Sequence, residues 1–126
     1  MGAVVTGANW GTSASGPFTN AWVQTSNIVF TANSAMTNAT TTIGNVTVTN
    51  NATVTFAGGG TYTPGGVNRI FDIATGSTLN WTNGITVSGA AGSAISKNGG
   101  GTWGISNSMG SGSLPGGLTL NAGTLI

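Results

Sequence analysis

The chain contains no cysteine and no histidine, and its only charged side chains are Arg69, Lys97 and Asp72. Each absence excludes a class of chemistry. Without cysteine there is no disulfide framework and no thiolate nucleophile or ligand. General acid–base catalysis calls for a group that titrates near working pH, usually histidine or paired carboxylates. A lone Asp72 supplies neither the carboxylate pair of a glycosidase nor an acidic calcium cluster. A serine or threonine nucleophile would lack a base, and Lys97 lies in a glycine-rich stretch that reads as a solvated corner carrying one cation. The expectation is a non-enzymatic protein with no cofactor and no metal. Two cations cannot line a nucleic-acid groove, so no nucleic-acid partner is expected. No stretch approaches the roughly 18 to 20 apolar residues that span a bilayer, so no membrane insertion by a helix is expected either.

Glycine, threonine, asparagine and serine dominate what is present, and the net charge is +1. Solubility then rests on hydroxyls and amides, and a near-neutral surface favours association. Disorder is a poor reading of this composition, because the chain is rich in Val, Ile and Thr. It also carries Trp10, Trp22, Trp81, Trp103, Phe18, Phe30, Phe56 and Phe71, residues that suit a pleated, half-buried surface.

Helical periodicity is absent and alternation recurs. Strands are expected around Val46-Thr47-Val48, Thr53 to Phe56, Arg69 to Ile73, Thr78 to Trp81, Ile85-Thr86-Val87 and Leu118-Thr119-Leu120. Between them lie corners that tolerate positive φ, among them Asn50-Asn51, Gly65-Gly66, Thr75-Gly76, Asn98-Gly99 and Ala122-Gly123. Val46, Val48, Asn51, Thr53, Val54 and Phe56 align with Phe71, Ile73, Gly76, Thr78, Leu79 and Trp81 at one constant offset. A shortened third copy runs from Leu118 and Leu120 through Gly123 to Leu125. A repeat of this length fits one coil of an all-β solenoid, in which each coil buries its inward side chains on its neighbours. About five coils are expected, in a single domain spanning 1–126: a Trp-containing cap region over 1–42 and repeat coils over 43–126. The inward set is Val46, Val48, Val54, Phe56, Phe71, Ile73, Leu79, Trp81, Ile85, Val87, Leu118, Leu120 and Leu125. A β-sandwich or jelly roll is the alternative, although it does not require the recurrence.

Lys97-Asn98-Gly99-Gly100-Gly101-Thr102-Trp103-Gly104-Ile105 and Gly116-Gly117-Leu118-Thr119-Leu120-Asn121-Ala122-Gly123-Thr124-Leu125 resemble the autotransporter-associated β-strand repeat, or passenger-associated transport repeat. Trp103 stands where that repeat usually has Leu, and Leu118 where it has Thr. Asn9-Trp10, Ala21-Trp22 and Asn27 to Phe30 resemble the Trp-rich leading segment of long passenger proteins. The resemblance implies a right-handed parallel β-helix, secreted or displayed on a bacterial surface, and serving as scaffold.

Trp81 and Trp103 occupy repeat positions held elsewhere by apolar residues, so core packing is the expected role for both. Trp10 and Trp22 are expected to cover the first coil, whose bare edge would otherwise recruit strands. The chain stops at Leu125-Ile126 in a strand without a polar cap, and solenoids normally carry capping repeats. The expectation is therefore a structural subunit that stacks head-to-tail on copies of itself as a filament or stalk, with Trp10, Trp22, Leu118, Leu120, Leu125 and Ile126 at the joint. An adhesin that binds surface glycans through exposed Trp residues, or a functional amyloid, are the alternatives. Four Asn-x-Thr triplets, at Asn38, Asn45, Asn51 and Asn80, match the number that composition alone produces, about four.

Overall fold

The computed structural model describes residues 2–4, 25–37, 42–57, 60–82, 86–106 and 114–126. Alternation decides the local structure. In β4 (Val46–Val48), β5 (Thr53–Ala57), β7 (Asn68–Ile73) and β8 (Thr78–Trp81) the buried side chains are Val46, Val48, Val54, Phe56, Phe71, Ile73, Leu79 and Trp81. The Thr, Asn and Asp residues between them keep access to solvent. The remaining strands are β1 (Gly2–Val4), β2 (Ile28–Phe30), β3 (Ser34–Thr37), β6 (Thr61–Tyr62), β9 (Thr86–Val87), β10 (Ala94–Asn98), β11 (Thr102–Ile105), β12 (Gly117–Leu120) and β13 (Thr124–Leu125). There is no helix among the described residues.

The chain winds. A six-stranded sheet runs β1-β3-β5-β8-β11-β13, a five-stranded sheet runs β12-β10-β7-β4-β2, and β6 pairs with β9 in a short third sheet. Every pair is parallel. The fold is thus a β-solenoid, and a sandwich of antiparallel sheets is excluded. The sequence offset is also the register: Val46 lies opposite Phe71, Val48 opposite Ile73, Val54 opposite Leu79 and Phe56 opposite Trp81.

About three turns are complete, those of β4–β5, β7–β8 and β10–β11, each flanked by a neighbour on both sides in both large sheets. Dividing the whole length by one period gave a slightly larger number because it also counts the outermost windings. The winding of β2 and β3 does not share that offset, because its spacing to the next is shorter, 18 residues between Asn27 and Asn45 and 20 between Asn33 and Thr53.

Stacked side chains fill the interior. Val54, Leu79, Trp103 and Leu125 form one inward column, and Met36, Phe56, Trp81 and Ile105 the next. Phe56 stacks on Trp81 at 6.3 Å, while Trp81 and Trp103 meet edge to face at 5.0 Å. Both indole N–H groups are buried without a hydrogen-bond partner. Trp81 and Trp103 are 1% and 0% exposed, which makes them core residues as expected.

Corners take positive φ at Asn50, Asn51, Gly65, Gly66, Gly76, Gly99 and Gly123. Polar ladders join successive corners: Asn27 Oδ1 accepts from Asn45 N–H at 2.8 Å and Asn45 Oδ1 from Ile70 N–H at 2.9 Å. Thr53, Thr78, Thr102 and Thr124 form a column along the six-stranded sheet.

Candidate assembly edge at the C-terminal winding

β12 and β13 each pair on one side only among the described residues, with β10 and β11 respectively. The direction of their backbone groups follows from the hydrogen bonds they do make. Asn121 N–H donates to Lys97 O at 2.9 Å, Thr124 N–H to Gly101 O at 3.1 Å and Ile126 N–H to Trp103 O at 3.0 Å. Parallel strands turn alternate peptide groups to opposite sides, so the N–H groups of Leu120 and Leu125 point away from the solenoid, toward the open edge.

The side chains here depart from the expected inward set. Leu118 and Leu125 are half-buried against the core, whereas Leu120 is 48% and Ile126 72% exposed. Leu120 does belong to the inward column of Ile28, Val46, Phe71 and Lys97. It is uncovered because no further winding lies over it among the described residues. Ile85, expected inside, and Trp10 and Trp22, expected at the joint, lie outside the described residues.

The opposite end differs. Ile28 and Phe30, in the outermost strand of the five-stranded sheet, are each only 3% exposed, and Met36 in β3 is 2% exposed. Among the described residues of the inward columns exposure is thus greatest at the C-terminal winding, while Val29 of β2 is 64% exposed on the outer face.

Lys97 overturns the expectation of a solvated corner cation. Its side chain is fully buried, and Nζ donates to Asn98 O and Gly99 O at 2.7 Å and to Ala122 O at 3.2 Å. Burial pushes the amine below its ordinary pKa, partly opposed by the Asp72 carboxylate. The glycine-rich surroundings suggested solvent, but a backbone corner packed on another corner offers a cage of carbonyls instead. One signal was available in the sequence: in Ile95-Ser96-Lys97 the alternation places Lys97 on the same face as the buried Ile95.

A Cβ on Gly123 would collide with Gly101 O and stand 2.8 Å from Lys97 Nζ, and φ there is +77°. Only glycine lets the last corner seat this closely on the one before. Arg69 and Asp72 take separate paths: Arg69 Nε donates to Pro64 O at 2.8 Å, while Asp72 is exposed on the outer face.

The chain matches no family model, no curated protein and no solved structure.

Proposed function

We propose that this protein is a structural β-solenoid subunit that stacks head-to-tail on copies of itself, its C-terminal winding receiving the N-terminal end of the next copy in a filament or stalk. What supports this reading is the pattern of the stack: each winding buries its apolar column on its neighbours through parallel ladders, and β12 and β13 carry outward N–H groups and the half-open Leu120 column with no winding over them among the described residues. Because every described strand pair is parallel, a copy translated along the stack presents β1 to β13 with the polarity of every internal pair. A near-neutral surface leaves little repulsion to oppose that approach. The resemblance to passenger repeats supports a secreted or surface location outside a bacterial cell and a scaffolding role.

Negative-stain imaging and sedimentation test the reading. Wild-type protein should form long filaments, and a Leu120→Pro/Leu125→Pro variant should stay dispersed with an unchanged far-ultraviolet spectrum. Proline at these sites removes only outward N–H groups and leaves the bonds to β10 and β11 in place. A wild-type protein that remains monomeric at high concentration would overturn the proposal.

One observation favours a second reading. Since Ile28, Phe30 and Met36 are already covered, two C-terminal edges can meet in an isologous pair. The same sedimentation run separates the two: a closed dimer stops at twice the monomer mass, whereas head-to-tail stacking does not close.

A further inference from the structure

Successive corners of the solenoid are not equal. Eight residues separate Val46 from Val54 and Phe71 from Leu79, but six separate Lys97 from Trp103 and five separate Leu120 from Leu125. The upper corners have lost the residues that would continue the inward column of Val48 and Ile73. At these shorter corners the structure places the Lys97 amine. Two of its acceptors, Asn98 O and Gly99 O, belong to its own corner and the third, Ala122 O, to the corner of the terminal winding. The backbone carbonyl of Lys97 holds the same winding through Asn121 N–H.

We propose that Lys97 is the positioning residue of the assembly edge: its buried ammonium ties the last corner to the one before and so holds β12 and β13 in register to receive a partner. This rests on the assembly reading above. Hydrophobic packing alone is a weak anchor for this winding, because its large apolar residues, Leu114, Leu118, Leu120, Leu125 and Ile126, are none of them fully buried. A charge-assisted hydrogen bond across the two corners is stronger than a neutral one and has a direction.

Amide hydrogen exchange on dispersed full-length protein, together with filament growth, tests this. In Lys97→Met the amides of Asn121, Thr124 and Ile126 should exchange about tenfold faster or more, the factor expected from losing a hydrogen bond to a charged group. The amides of Ala74, Thr78 and Thr82, in interior windings, should hold their rates within about twofold. In Lys97→Ala, n-propylammonium, which replaces the missing atoms, should restore protection of the terminal amides. Tetramethylammonium, a cation with no donor, should not. Filament growth should fall and recover in parallel. Terminal amides in Lys97→Met that exchange as in the wild type, loss spread evenly over interior amides, or equal rescue by both cations would each overturn the proposal. Wild-type protein that stays dispersed sinks the assembly reading itself. Intact filaments from Lys97→Met sink the present inference alone.

Discussion

Tyr62 is the single tyrosine of the chain and is buried, its ring tilted on Phe71 at 5.9 Å and edge-on to Trp81 at 5.3 Å. Its hydroxyl reaches Ile43 O at 3.5 Å, long for such a donor. Burial raises its pKa well above the ordinary tyrosine value, with Arg69 lowering it slightly. The folded state thus keeps a proton that the unfolded chain releases above about pH 10, and stability falls as pH rises beyond that point. Tyrosinate absorbance should therefore appear together with loss of tryptophan fluorescence, as one transition; a tyrosinate signal arising in folded protein would contradict the burial. Deeper in the core, Trp81→Ala should cost about 3 to 5 kcal/mol in chemical denaturation, since the indole touches Phe56, Phe71, Tyr62 and Trp103 and none of these can fill its volume. Lys97 is the residue whose setting was hardest to read. Alternation pointed inward and composition pointed outward, and the carbonyl cage that reconciles them forms only when two corners meet.

Strands and corners were more legible. Val46 and Phe71, or Phe56 and Trp81, reveal the stacking because the chain keeps one period through the middle of the molecule. Toward the C-terminus the corners shorten, and an alignment based on a constant period slips: Leu118 and Leu120 were set against Val46 and Val48, yet Leu120 lies in the Val46 column. Corner glycines flag a turn without measuring its length. That intervening Thr and Asn side chains face water or form ladders is expected of a solenoid, but which Asn accepts from which corner depends on its neighbour in space. Asn45→Ala should therefore lower stability by about 1 kcal/mol, as the Ile70 N–H loses its acceptor. Asn50→Gly should be neutral or slightly stabilising, because φ there is already +58°. Thermal melts of the two variants against wild type check both signs.

For the molecule as a whole, cohesion comes from stacked apolar columns and backbone ladders, with three charged residues in the entire chain. Folding and stacking should accordingly be nearly indifferent to sodium chloride, there being little to screen. Sulfate, which strengthens apolar burial, should raise the melting temperature and speed filament growth. Growth that slows sharply between low and moderate sodium chloride would point to an electrostatic joint instead.

The scarcity of cations has one more outcome. A protease that cuts after lysine or arginine has two target bonds in this chain, following Arg69 and Lys97. The first lies inside β7 and the second inside β10, strands flanked on both sides by neighbours, and the Lys97 side chain is enclosed. Neither bond can enter a protease cleft until a winding is pulled out of the stack, so digestion by trypsin reports unwinding of the solenoid and little else.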